Sequence, residues 1–470
     1  MRRSALPALL VVAFAAPAES ATTLDLAGVD KDLSFIETQA QKTVASLAPG
    51  AYPRSGGQTG TWTSVGASDW TSGFFPGELW LLYQATGSAQ WLADAQSWTA
   101  PLASQATRTD THDVGFIIGE SFGNGYRLTG DPTYKSEILT AAASLAQRYD
   151  PTVGAVRSWS FGPWQYPVII DNMMTLGPLE WGAKHGGNSS WGVDAATHAQ
   201  TTITYLVRSN GSTYEMADFN PTTGAFIANY TYAGLSVNST WSRGQAWSLY
   251  GFVQAYHATK NPAFLTTAEQ LAAYFFNNLP PDHVPYWDFD APASPTTPRD
   301  TSAAAIGADG LIMLSRVAAT QAERATYLKE AREILASLSV FYLAPASGEA
   351  VLTDGTDSVP GNDEVDTALI FGDYYFTEAL LRLQYVDEGK AAWWLYNESP
   401  STVLAAASEA ASPEPSTWAM MLLGFAGLGF AGYRKARSGR SPLINRHSTF
   451  GATAARGSSC LRLSSLRGLS

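Results

Sequence analysis

Apolar residues recur at helical spacing through most of the chain. In the segment 134–147 they lie at Ile138, Leu139, Ala142, Leu145 and Ala146. This spacing forms one stripe on a helix, and the segment 327–338 has the same stripe. Turn signals such as Gly130-Asp131-Pro132 precede these segments. The pattern predicts amphipathic helices, each joined by a turn to the segment before it.

The segments before the turns differ in kind, because they are rich in glycine and apolar on all sides. They open at Trp70, Asp113, Asp171, Trp241, Asp300 and Asp366. Helices that are apolar all round belong inside a protein, and amphipathic helices belong outside. Six irregular repeats of this kind predict an all-α fold, an (α/α)6 barrel in which six helical hairpins form a two-layer ring. The segments 150–168, 205–240 and 282–300 predict loops or short hairpins over one mouth of the ring.

Composition restricts the partners of this protein. Only 15% of the 470 residues are charged and 45% are hydrophobic, which is typical of an ordered protein. The net charge of −12 is unevenly distributed, since the segment 434–470 contains eight basic residues and no acidic one. The remaining body is strongly acidic and would repel a phosphate backbone, so no nucleic-acid partner is expected. Cys460 is the single cysteine, and neither a metal site nor a cofactor is expected.

Both ends of the chain have the pattern of targeting signals. Residues 1–18 combine two arginines, an apolar run and an Ala-x-Ala site, which predicts a cleaved signal peptide. Near the other end, Pro413-Glu414-Pro415 precedes an uncharged run that a basic cluster closes at Arg434. This order resembles a PEP-CTERM sorting signal. The resemblance implies an exported protein, in the periplasm or at the cell surface or matrix of a Gram-negative bacterium, with transient inner-membrane association through residues 418–433.

These patterns predict the domain organisation. A catalytic domain spans 24–398, a linker spans 399–412, the sorting signal spans 413–437, and a basic tail spans 438–470.

Two aspartates are the candidates for chemistry. A carboxylate at a helix start commonly caps the helix, and this interpretation stays open for Asp113 and Asp171. Asp171, however, lies between Ile169-Ile170 and Met173-Met174, where loss of solvation would raise its pKa as a general acid requires. In a ring, both aspartates would face the central cavity. Paired carboxylates in an aromatic pocket are typical of glycoside chemistry.

Aromatic and basic residues near the predicted mouth favour a sugar ligand. Sugar C–H faces stack on indole rings, although core packing is the alternative role for each tryptophan. The candidates are Trp70, Trp159, Trp241, Trp247 and Trp287. Arg157 and Arg243 either bind a substrate carboxylate or neutralise neighbouring aspartates.

Several motifs carry a family resemblance across residues 35–390. The segments HDVGF, IIDNMM, STWSRGQAWSLYGF, VPYWDFDAP and RDTSAAAI occur in the order found in the unsaturated glucuronyl hydrolases, glycoside hydrolase family 88, which the chain resembles. The resemblance implies removal of a 4,5-unsaturated uronic acid from the non-reducing end of lyase-generated oligosaccharides by vinyl-ether hydration. It implies Asp171 as the proton donor, assisted by Asp113. The residues it implies as sugar contacts are Trp70, His112, Trp159, His198, Arg243 and Trp247.

Other functions remain open at this point. The related unsaturated rhamnogalacturonyl hydrolases share the fold and the chemistry, and a toroidal polysaccharide lyase or a non-catalytic glycan-binding surface protein are further alternatives. The segment 119–123 also matches the G-x-S-x-G motif of serine hydrolases. Its predicted helical context argues against that assignment. The stretch YAGLSVNST lacks a glutamine that the family often has, and no Ser/Lys site for a sulfate group is apparent.

Overall fold

Six helical hairpins form a ring in the computed structural model, which describes residues 23–393. The inner layer consists of α2 (Phe74–Thr86), α4 (Val114–Ile118) continued by α5 (Asn124–Thr129), α7 (Gly177–Gly182), α9 (Ser242–Thr259), α11 (Thr301–Val317) and α13 (Ile370–Asp387). The outer layer consists of α1 (Leu26–Ser46), α3 (Ala89–Thr99), α6 (Pro132–Ala146), α8 (Ser190–Tyr205), α10 (Pro262–Asn277) and α12 (Gln321–Phe341). The predicted (α/α)6 barrel is confirmed.

The predicted terminal segments lie outside the described residues. These are the signal peptide, the linker, the sorting signal with its apolar run 418–433, and the basic tail. Within residues 23–393, no helix combines the length and the apolar character that crossing a membrane requires.

The two layers differ in burial as their sequences predict. Inner helix α11 buries every residue from Thr301 to Ser315, whereas outer helix α12 buries one stripe that includes Tyr327, Ala331 and Ile334. Asp300 caps α11 by accepting the N–H groups of Ser302 and Ala303. A helix that is buried on all sides exposes no face to solvent, so it has no need of charged residues. This agrees with the low fraction of charged residues in the chain.

One predicted helix start is wrong. Asp366 does not begin the last inner helix, because α13 starts at Ile370. Asp366 lies in the preceding loop with a φ of 50°, a left-handed backbone conformation that ends regular structure.

Short antiparallel strands lie among the long connections. They are β1 (Tyr52–Ser55) with β2 (Thr63–Val65), β3 (Tyr149–Asp150) with β4 (Ala155–Val156), and the sheet β5 (Pro167–Ile169), β6 (Met216–Phe219) and β7 (Phe226–Tyr230). In the last sheet Ile169 pairs with Met216, and the Ile170 N–H donates to the Glu215 carbonyl at 2.8 Å. This register brings Asp171, just after β5, next to Glu215, just before β6.

The G-x-S-x-G segment is helical and does not form a nucleophile elbow. Residues Gly119–Gly123 form one π-helical turn between α4 and α5, and the Ser121 hydroxyl donates to the Ile117 carbonyl at 2.5 Å. The Ser121 side chain is completely buried, so it cannot attack a substrate.

Inner helices meet around a buried ionic cluster formed by Glu120, Asp309, Glu378 and Arg382. The Arg382 guanidinium lies 3.0 Å from Asp309 and 3.2 Å from Glu378, and Tyr374 donates to Glu120 at 2.6 Å. Asp309 and Glu378 thus share one cation in the core, while Glu120 is bound by tyrosine hydroxyls. Burial and the charge of Glu378 raise the pKa of Glu120 to about 8, so this carboxyl keeps its proton at neutral pH.

When the pH is raised from 6 to 9, we expect the free energy of unfolding to fall less in the Glu120→Gln variant than in the wild type. A carboxyl whose pKa is raised from 4.5 to about 8 by folding stabilises the protein fully below pH 4.5, and this contribution is lost as the pH rises through 8. Glutamine cannot ionise. Thermal unfolding at the two pH values should show a fall in Tm that is smaller by about 2 °C or more in the variant. An equal fall in both proteins would contradict the assignment.

Candidate active site

A cavity opens where the inner helices have their amino ends. The structure brings seven of the eight predicted site residues to its wall: Trp70, His112, Asp113, Trp159, Asp171, Arg243 and Trp247. They come from four different hairpins, so the ring assembles the site from distant parts of the chain.

Asp113 and Asp171 face the same imidazole. The Nε2 atom of His112 lies 3.2 Å from Oδ1 of Asp113 and 3.8 Å from Oδ1 of Asp171. Asp113 occupies the N-cap position of α4 but its side chain makes no capping bond; it accepts the Thr111 hydroxyl at 2.5 Å instead. Asp171 lies inside the 3-10 turn Ile170–Leu176. The capping interpretation is therefore wrong for both aspartates.

The surroundings of Asp171 favour its protonated form. Burial raises its pKa well above the ordinary value, and the negative charges of Asp113 and Glu215 raise it further, while Arg243 opposes them. Among the described residues, none donates a hydrogen bond to its Oδ1 atom. Burial also lowers the pKa of His112, so the imidazole is neutral. Asp171 thus has the environment of a proton donor.

Aromatic rings form the floor and one wall of the cavity. Trp247 is buried on the floor with its ring 5.3 Å from that of Phe116, and Trp70 packs 4.9 Å from Phe371. Trp159 stacks on Phe161 at 5.3 Å. Trp241 also lines the cavity, whereas Trp287 does not. Rings arranged in this way offer stacking faces to a sugar.

Arg243 lies on the cavity wall but is already ion-paired. Its Nη1 donates to Asp300 at 3.2 Å and to the Thr356 carbonyl at 2.5 Å, and its Nη2 donates to the side chain and carbonyl of Asp357 at 2.6 and 2.8 Å. These bonds use four of the five N–H donors of a guanidinium. The geometry favours neutralisation of aspartates over bidentate binding of a substrate carboxylate. Arg157 does not line the cavity; its guanidinium lies 5.8 Å from the ring of Tyr166.

His198 is the predicted site residue that the structure does not bring to the cavity. It belongs to outer helix α8, its side chain is completely buried, and its Nδ1 accepts the Val156 N–H at 2.9 Å. Burial and the neighbouring His112 lower its pKa to about 3, so it is neutral. His198 therefore supports strand β4 behind the cavity wall and is not placed to touch substrate.

Loops contribute cavity residues that sequence analysis missed. These are Phe161, Glu215, Tyr232, Ala233, Asp357 and Ser358, with Ile169 from strand β5. Glu215 accepts the hydroxyl of Thr231 at 2.5 Å and the N–H groups of Tyr232, Ala233 and Gly234 at 2.9 to 3.1 Å. One carboxylate thus holds the loop 231–234 against the cavity. No periodic pattern marks such residues, because they lie outside the helices.

As the pH rises above the optimum, we expect the Glu215→Gln variant to lose activity at a lower pH than the wild type does. Removing a negative charge near Asp171 makes its ionised form less unfavourable, which lowers the pKa of Asp171. The alkaline limb of kcat/KM against pH should therefore move down by about half a pH unit. Asp218→Asn is the matched control: this carboxylate, also on the β5–β7 sheet, is buried outside the cavity and binds the N–H groups of Gln165 and Tyr166. A limb that stays in place would refute the coupling.

The ring and its aromatic cavity with two carboxyl groups define a glycoside hydrolase. The chain is 39% identical to the unsaturated glucuronyl hydrolase of Formosa agariphila over 366 residues, 76% of this chain and 90% of that protein. It is 34% identical to the enzyme of the same name from Bacillus sp. strain GL1, over 70% of this chain and 88% of that protein. The chain belongs to the unsaturated glucuronyl hydrolase family.

Solved structures agree with this assignment. An unsaturated glucuronyl hydrolase specific for heparin superposes with a TM-score of 0.75 at 38% identity, covering 77% of this chain and 99% of that one. A variant of the Streptococcus agalactiae enzyme, solved in complex with dGlcA-GalNAc6S, superposes with a TM-score of 0.69 at 26% identity, covering 80% of this chain and 94% of that one. In addition, residues 413–435 match the PEP-CTERM protein-sorting motif.

Proposed function

We propose that this enzyme removes a 4,5-unsaturated uronic acid from the non-reducing end of oligosaccharides left by polysaccharide lyases. The observation that carries the proposal is Asp171, a largely enclosed carboxyl group whose pKa burial raises, beside Asp113 and the neutral His112. The relatives' activity, and the complex of one of them with a dGlcA-containing disaccharide, support the same substrate class.

In the proposed reaction the substrate is a vinyl ether. Asp171 donates its proton to C4 of the C4=C5 bond, and the positive charge that forms is shared between C5 and the ring oxygen. Asp113 stabilises this cation by its negative charge. Water adds to C5 and returns a proton to Asp171, giving a hemiketal. The ring then opens to a ketone at C5, and the hemiacetal left at C1 releases the remaining sugar as an alcohol.

The shape of the cavity supports action on a chain end. Trp247 in the cavity lining is 1% exposed and packs against Phe116 at 5.3 Å, so core residues close the cavity behind this ring. A cavity closed at its inner end accepts a terminal sugar and leaves the rest of the chain outside.

We further propose that residues 24–398 form the catalytic domain of an exported protein and that the C-terminal signal directs it to the periplasm or cell surface. The sorting-motif match supports export. The proposed signal peptide, linker, sorting helix and tail keep the boundaries given above.

The test is incubation of the purified protein with unsaturated disaccharides made by polysaccharide lyases. The ultraviolet absorbance of the C4=C5 bond should fall, and one free saccharide should appear for each double bond lost. A rise in absorbance on intact polymer would indicate a lyase instead. Binding without any change would support the non-catalytic alternative.

A further inference from the structure

Two aromatic side chains of the cavity are largely exposed. Phe161 is 66% and Tyr232 is 58% accessible to solvent, whereas Trp159, Trp241 and Trp247 on the same wall and floor are at most 8% accessible. Exposed aromatic surface is unfavourable in water unless a ligand covers it. The difference in exposure also orders the cavity by depth, with Phe161 and Tyr232 at the mouth.

The ring of Phe161 is held in place by its neighbours. It stacks on Trp159 with an angle of 14° between the rings, and Trp164 makes an edge contact with Trp159 at 5.9 Å. Gly162, at a φ of 80°, makes the turn between them, and a Cβ atom there would lie 2.5 Å from the Trp164 ring. The Phe161 ring is therefore backed on one face by the Trp159 indole, which Trp164 contacts in turn.

The backbone of Tyr232 is fixed as well. Its N–H donates to the Glu215 carboxylate at 2.9 Å, and the next two N–H groups bind the same carboxylate. Because these hydrogen bonds already fix the loop, it loses less conformational entropy on binding a ligand than an unconstrained loop would.

We propose that Phe161 and Tyr232 form the subsite for the sugar ring attached to the unsaturated uronic acid, the ring that leaves in the reaction. This inference depends on the proposed function. The uronic acid would occupy the deep part of the cavity beside Asp171, and the next pyranose would lie at the mouth with its C–H faces on these two rings. Arg243 is the one lysine or arginine among the described residues that line the cavity. Its guanidinium is already paired with Asp300 and Asp357. Stacking, and not charge, thus binds the leaving sugar.

Two substrates separate this subsite from the reaction itself. One is a lyase-generated unsaturated disaccharide, and the other is the methyl glycoside of the same unsaturated uronic acid, which has no second ring. We expect Phe161→Ala and Tyr232→Ala each to reduce the ratio of kcat/KM for the disaccharide to that for the methyl glycoside by about five- to tenfold, mainly through KM. Tyr232→Phe, which keeps the ring, should restore the ratio. The control Phe341→Ala removes an equally exposed ring (53%) at the end of α12 and should keep the wild-type ratio.

Each outcome is decisive. An unchanged ratio in both alanine variants, or an equal loss on the two substrates, would overturn the subsite. Wild-type protein that consumes neither substrate would overturn the proposed function instead, so the two failures are distinguishable.

Discussion

The Asp171→Asn variant is expected to lose about 10³-fold in kcat on an unsaturated disaccharide, while it folds as well as the wild type. General acid catalysis contributes roughly 10²- to 10⁴-fold, and an amide cannot supply the proton that C4 receives in the proposed reaction. The side chain keeps its shape, and removal of a carboxyl whose ionised form is disfavoured by burial costs no stability. The measurement is the rate of absorbance loss at the C4=C5 bond.

A matched control for this variant is Asp110→Asn, three positions before Asp113 in the chain. Asp110 forms an exposed ion pair with Arg108 at 2.9 Å and does not line the cavity. It should keep wild-type kcat. If Asp171→Asn retained more than a tenth of the activity, Asp171 would not be the proton donor, and the Asp113→Asn variant would then decide between the two carboxyl groups.

The Arg382→Met variant is expected to lose about 3–5 kcal/mol of unfolding free energy, the cost of leaving a buried carboxylate without its partner. Asp309 is completely buried, and Arg382 is the cation in contact with both Asp309 and Glu378. Denaturant titration followed by tryptophan fluorescence would measure the loss.

Two further variants distinguish lost charge pairing from lost packing. Arg382→Met combined with Asp309→Leu removes both charges and should recover part of the stability, because an apolar pair of similar volume can replace a buried ion pair. Lys329→Met removes an exposed cation that pairs with Glu330 and Glu333, and should change stability by at most about 1 kcal/mol. If the double variant were no more stable than Arg382→Met alone, the loss of unfolding free energy would be due to packing and not to charge pairing.

Sequence analysis identified the parts of this protein whose signal is periodic or local. The glycine-rich inner helices predicted the ring, and the apolar neighbours of Asp171 predicted a carboxyl with a raised pKa, which burial in the structure explains. Glu215 was missed because its role depends on the sheet register that sets it beside Ile170, a contact between residues 45 positions apart. Asp357 and Ser358 belong to a loop in which several residues adopt the left-handed backbone conformation. No helical or strand period therefore marks them in the sequence.

Two residues lie elsewhere in the structure than the sequence predicted, for a common physical reason. Asp366 was predicted to open the last inner segment because an apolar run follows it, yet the loop continues to Leu369. His198 was expected at the substrate because of the family resemblance alone, and its outer helix keeps it behind the wall. In both cases the identity of the residue was informative, but its position in three dimensions depended on neighbours far along the chain.

The separation between the proposed proton donor and the mouth of the cavity has an evolutionary consequence. Asp113 lies at the amino end of inner helix α4 and Asp171 lies in the 3-10 turn before α7, whereas Phe161, Tyr232 and Glu215 lie on the connections around a small sheet. Mutations in those connections can alter which glycan is accepted while the ring and the acid stay intact. Enzymes of this architecture can therefore diversify by exchanging a few loop residues, and a chimera that carries the 159–164 and 231–237 loops of a relative should acquire that relative's preference among leaving sugars.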